Sequence, residues 1–345
     1  MEKRSVIHCR SMLNTLVLGL VVCLSLITAQ GRAVAQTPSP VKTTDPGSSH
    51  DKSAPPDVTQ KEGVPADHFD PDDQKTFDDV LTELRPVTIR GRELMLHLYR
   101  PRASGAATPA IYACGDGGWR GLAPRTAQQL AHMGFAVIGV DSKVYLRELS
   151  STQEPLTIKQ LAQDYVTLAQ VVREYAQAEK TEPVYVYGWS VGAGFAVAIG
   201  SEVTTRANWA GIISIGLPPQ NQLVSGVGGN YVDLKAAGND RYGFRTQSLM
   251  ASIAPLPLVM IQSTTDTASP QKVGKLLFSA ARDPKQYVLI KANNHRFSGA
   301  REEFYAALGG APIWIRQARA NCADQQTPCR QETSNSGGSR LKGGQ

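Results

Sequence analysis

The chain has 345 residues, 41% of them hydrophobic and 19% charged, which suits one large globular domain with appendages and excludes a fibrous or wholly disordered protein. Its formal charge of +6 sits mostly in the first 35 residues and in the last few dozen, so the intervening body is close to neutral and offers no clustered basic face for nucleic acid. Cysteine spacing gives no zinc pattern, and neither a metal nor a cofactor is expected.

In chain order, Lys3, Arg4 and Arg10 precede an apolar run from Leu16 to Ile27, and Ala33-Val34-Ala35 supplies a small-x-small cleavage pattern. The run is about a dozen residues against the roughly 20 of a membrane helix, so residues 1–35 read as a cleaved export signal. Residues 36–75 shift to Pro, Ser, Thr, Asp and Lys and read as a flexible linker. Residues 76–310 read as the folded domain and 311–345 as a C-terminal tail. In an oxidising compartment Cys322 and Cys329 are expected to pair across a short loop.

Within the domain, "PVTIRGRELMLHLYRP" alternates about Gly91 and predicts a hairpin. "PAIYAC" is a buried-type strand, "PRTAQQLAHMG" a helix ended by Gly134, and "FAVIGVD" a strand. The stretch from Thr157 to Lys180 carries an apolar stripe at helical spacing. Strand "PVYVYG", a helix from Val191, strands "WAGIISIG" and "PLPLVMIQS", helix "SPQKVGKLLFSAAR", strand "QYVLIK" and helix "AREEFYAALG" follow. Such alternation predicts a mostly parallel sheet with helices on both faces. The connection over residues 217–254 is long and mixes glycines with apolar residues, which predicts a mobile cap.

"GWSVG", residues 188–192, matches G-x-S-x-G at a strand-to-helix junction, where a strained turn presents the serine hydroxyl. "GAGFAV" lacks a third glycine and "SGVGGNY" lacks a following lysine, so neither is a nucleotide loop. A serine hydroxyl needs a base to remove its proton, and in this type of fold the order is Ser, acid, His. His295, in "ANNHRFSG" just past the last strand, is the histidine left after those of the signal, linker, hairpin and first helix are set aside. Asp266 follows the preceding strand and is the candidate acid, ahead of Asp240 and Asp283; its alternative role as a helix cap is better filled by Ser269 before Pro270. The catalytic set is thus Ser190, Asp266 and His295.

An oxyanion needs two amide donors: Val191 supplies one, and Asp116 or Gly117 in "CGDGGW" the other. Trp119 and Trp189 are candidate substrate-binding residues beside these positions, and Asp116 either meets the substrate or holds its own loop through backbone hydrogen bonds. Cys114 reads as an inert buried thiol.

"CGDGGWRGLAPRTAQQLAHMGFAVIGVDSKVYL", then "YGWSVGAG", then Asp266 and "NHRF", resemble the VirJ/AcvB-type bacterial virulence domain over roughly residues 108–310. The resemblance implies an α/β-hydrolase fold, a periplasmic location and, for AcvB-like members, hydrolysis of lysyl-phosphatidylglycerol, with Ser190, Asp266 and His295 at the triad positions. The expected partner is therefore an ester substrate, with a membrane phospholipid in reach and peripheral membrane contact; the competing reading is a non-catalytic periplasmic adaptor on the same scaffold.

Overall fold

The computed structural model describes residues 77–225 and 242–324, all within the second of two compact units, Gly63–Gln345. The expected export signal, the whole of the expected linker, Asp240, the centre of the 217–254 connection, and the tail beyond Asp324 with Cys329 lie outside the described residues. The Cys322–Cys329 pairing therefore falls outside them too.

An eight-stranded sheet organises the domain. β1 (Val80–Ile89) and β2 (Arg92–Pro101) form the expected hairpin, with Arg90 and Gly91 both at positive φ in the two-residue turn. β2 then pairs antiparallel with β4 (Phe135–Val140), while β3 (Thr108–Ala113), β5 (Val184–Trp189), β6 (Trp209–Ile215), β9 (Leu258–Ser263) and β10 (Lys285–Ile290) add parallel strands. The spatial order is β1-β2-β4-β3-β5-β6-β9-β10. The sheet is mostly parallel, as expected, and its central strands are buried on both faces.

Two apolar layers cover it because side chains alternate along each strand. In β5, Val184 and Val186 face one layer, and Tyr185, Tyr187 and Trp189 the other. The first layer is packed by α2 (Ser142–Leu149), α3 (Ile158–Tyr175), α4 (Val191–Ser201), α5 (Thr246–Met250) and α6 (Gln271–Ala280); the second by α1 (Leu122–His132) and α7 (Arg301–Asp324). α3 starts where Thr157 and Gln160 form a reciprocal capping box. α4 is buried along nearly its whole length, which explains why its sequence is apolar all round.

Three elements depart from expectation. α7 continues through Gly309, Gly310 and Pro312, so the boundary placed at residue 310 falls inside a helix. The reason is tertiary: Phe304, Leu308, Ala311 and Ile315 form one buried stripe, and Gly211 leaves room for Ile315 against β6. The Arg319 guanidinium then donates to the carbonyls of Trp209 and Ala210. α2 has no counterpart among the expected helices; Asp141 starts it by accepting from the amides of Lys143 and Val144. The described ends of the 217–254 connection are packed in place. They form a small antiparallel pair, β7 (Gln220–Gln222) and β8 (Gly243–Arg245), and Asn221 is buried against α4 where a Cβ on Gly194 would stand 2.0 Å from its side chain.

Candidate active site

Ser190 sits between β5 and α4 with φ 56° and ψ −118°, a conformation that costs an L-residue energy and persists only where its surroundings enforce it. The enforcement is visible. The Ser190 amide donates to Ile215 O at 2.9 Å, and the Gly192 amide to Cys114 O at 3.1 Å. Gly192 is needed because a Cβ there would stand 2.2 Å from Ala113 O, and Gly115 lies beside the serine, its Cβ position 3.2 Å from Ser190 Cβ.

His295 arrives from the loop after β10. Phe297, at φ 59°, is wholly buried and stacks on Phe304 with ring centroids 4.5 Å apart, which anchors the loop to α7. Asn294 Oδ1 accepts from the amides of Arg296 and Ser298. The ring itself is placed by Asp266, whose Oδ2 lies 2.7 Å from His295 Nδ1, and by Gly216, where a Cβ would stand 2.7 Å from His295 Cε1. The other ring nitrogen, Nε2, is buried and has no hydrogen-bond partner among the described residues. Ile215, which accepts from Ser190, is the residue before Gly216, so serine and histidine are held at one end of the same strands.

The Asp266 carboxylate is buried and accepts from His295, from the Ser269 amide at 2.7 Å and from Gln262 Nε2 at 3.1 Å. The Ser269 amide belongs to the loop ahead of α6, so Asp266 does not cap the helix. Nor does Ser269, which the sequence suggested for that role: the cap position of α6 is Pro270, and the Ser269 hydroxyl donates to Gly216 O. Of the other candidate acids, Asp283 precedes β10 and so lies at the opposite end of the parallel strands from Ser190.

The loop after β3 lies against the elbow. Gly118 N donates to Gly115 O, and Asp116 and Gly117 are exposed at its tip. Asp141 fastens this loop: its Oδ2 accepts from the Trp119 amide at 3.0 Å, and Gly118, at φ 81°, passes close to the same carboxylate. The Ser142 hydroxyl donates to Cys114 O at 2.6 Å. Asp141 and Ser142 belong to the "GVDS" stretch, the signal by which the sequence could have revealed them. Asp116 does not hold the loop, since among the described residues no group hydrogen-bonds to or pairs with its carboxylate. Val191 opens α4, where its amide has no preceding helical carbonyl to meet.

The two tryptophans, candidates for substrate contact, are both held by neighbours within the fold. Trp119 turns onto the sheet: it stacks on His97 with centroids 4.7 Å apart, its Nε1 donates to Tyr99 Oη, and Gly139 makes room for its ring. Trp189 is 8% exposed, lies 5.4 Å from the His295 ring and donates from Nε1 to His295 O. Both rings are thereby fixed in place, Trp119 partly buried on the sheet and Trp189 beside His295. Cys114 is buried, and that burial pushes its thiol up to about 12, so it is no nucleophile.

A parallel sheet with one antiparallel edge, helices on both faces and a serine at a strained strand-to-helix turn define the α/β-hydrolase class. Within that class, residues 107–210 match the model of the family described as bacterial virulence protein (VirJ). Among solved structures, the chain is similar to "Putative Dienelactone Hydrolase" from Klebsiella pneumoniae subsp. pneumoniae, at 13% identity and a TM-score of 0.52, over 69% of this chain and 99% of that one. It is also similar to the alpha/beta hydrolase GrgF from Penicillium sp. sh18, at 13% identity and a TM-score of 0.51, over 70% and 99% of the two chains. At such identities the likeness is one of fold. No curated protein matches the chain.

Proposed function

We propose that the protein is an exported, periplasmic serine hydrolase acting on carboxylic esters, with Ser190 as nucleophile, His295 as general base and Asp266 orienting the imidazole. The carrying observation is the 2.7 Å contact between Asp266 Oδ2 and His295 Nδ1, which leaves Nε2 as the ring atom able to take the serine proton. In this reading Ser190 attacks the ester carbonyl while Nε2 removes its proton. The amides of Val191 and of Asp116 or Gly117 receive the oxyanion. The imidazolium then returns its proton to the leaving alcohol, and water repeats the sequence on the acyl-enzyme.

The preferred substrate class is an aminoacyl ester of a membrane phospholipid, with lysyl-phosphatidylglycerol as the model compound. Asp116 supports it: an exposed carboxylate with no partner among the described residues, next to an oxyanion amide, suits an ammonium group on the acyl side. The test is hydrolysis of lysyl-phosphatidylglycerol, unmodified phosphatidylglycerol and a short neutral ester by wild type and Asp116→Asn. Selective hydrolysis of the lysyl lipid, weakened about 10-fold in Asp116→Asn, is expected. Equal turnover of the neutral ester reduces the reading to a general esterase. No turnover of any ester, with no labelling of Ser190 by a fluorophosphonate, leaves the adaptor.

A further inference from the structure

β9 carries one polar residue that neither the sheet nor the catalytic set requires. Gln262 is 1% exposed in a strand that otherwise reads apolar up to Ser263. Its Nε2 donates to Asp266 Oδ2 at 3.1 Å and to Ser269 O at 2.6 Å. Its Oε1 is buried and points toward Gly274 on α6, where a Cβ would stand 3.1 Å from that oxygen and 2.9 Å from the hydroxyl of Tyr287. The amide orientation is fixed by chemistry: reversed, it would set a carbonyl oxygen against the Asp266 carboxylate and against Ser269 O. A buried amide costs free energy unless its hydrogens are used, and here both go to the acid and to the turn that holds it.

We propose that Gln262 is a positioning residue for Asp266, sharing the oxygen Oδ2 with His295 and so setting both where that oxygen stands and how much charge it presents to the imidazole. The inference rests on the catalytic reading above. Ser269 N holds Oδ1, Gln262 Nε2 and His295 Nδ1 hold Oδ2, and the carboxylate has no rotation left. The titratable groups facing Asp266 are His295 and, across Gln262, Tyr287; the charged neighbour of His295 in the chain, Arg296, is exposed. Without the amide donor, Oδ2 turns its full charge on His295 and holds the imidazolium more tightly.

The test measures the second-order rate of fluorophosphonate labelling of Ser190 against pH, for wild type, Gln262→Leu and Gln262→Met. Gln262→Met keeps the side-chain length and removes the donor, so it remains informative if the leucine variant does not fold. Labelling at neutral pH is expected to fall about 10- to 100-fold in both. The acid limb of the profile is expected to move to higher pH in both, because the unshared Oδ2 then favours the charged imidazole. A slower rate with the acid limb unmoved means a merely structural residue and overturns the inference. Wild-type rates and profiles in the variants overturn it while leaving the catalytic reading intact. Failure of wild type itself to label takes down the catalytic reading and this inference together.

Discussion

Gly188 and Gly192, on either side of Ser190, approach so closely that a Cβ on Gly188 would stand 2.0 Å from the Gly192 carbonyl oxygen. Gly188 is thus required by the backbone at residue 192, and Gly192 in turn by the carbonyl of Ala113, since strand end and helix start cross within backbone contact. Gly188→Ala is expected to destabilise the domain by about 3 kcal/mol or more, because the clash is with backbone that cannot rotate away. Urea unfolding followed by tryptophan fluorescence measures it; an unchanged midpoint would contradict the packing.

The strain at Ser190 predicts a gain in stability on losing the side chain. Glycine adopts φ 56°, ψ −118° freely, so Ser190→Gly is expected to stabilise the fold by about 1 kcal/mol while abolishing fluorophosphonate labelling. Ser190→Ala and His295→Ala should each lower ester hydrolysis by about 10⁴-fold or more, and the double variant should lose little beyond either, because the members of such a set act as a unit. Additive losses would point to independent roles.

Trp119 is expected to behave as a packing residue. Trp119→Ala removes the ring from His97, Tyr99 and Gly139 and should cost about 3 kcal/mol of stability, whereas Trp119→Phe should cost less and leave KM for a short ester unchanged. A raised KM with unaltered stability would return Trp119 to the substrate.

Cys114 offers a check on the interior. Its thiol, pushed up to about 12 by burial, stays protonated at neutral pH and donates to Gly115 O. Native protein should leave it unmodified by iodoacetamide over hours at pH 8, with full alkylation in denaturant, as read by peptide mass spectrometry. Rapid native alkylation would mean that the strand end opens to solvent.

The sequence by itself carried the local patterns. The glycines around Ser190, the apolar strand before it and the small-residue helix after it sit in one continuous stretch, so the elbow was legible from residues 183–201. His295 and Asp266 were reachable by chain order and by elimination, because each follows a strand whose end the fold brings to Ser190. What required the tertiary structure is everything set by contact between distant segments. Gly216 looks like any strand-end glycine until the His295 ring is seen against it, and Gln262 like a stray polar residue until its amide meets Asp266. Local sequence also pointed the wrong way at α7, where two glycines and a proline read as an end but a buried stripe from Phe304 to Ile315 carries the helix on. Trp119 and Trp189 show the same limit: adjacency in the chain to candidate catalytic residues says nothing of where a ring points, and contacts with His97, Gly139 and the His295 carbonyl set the two rings.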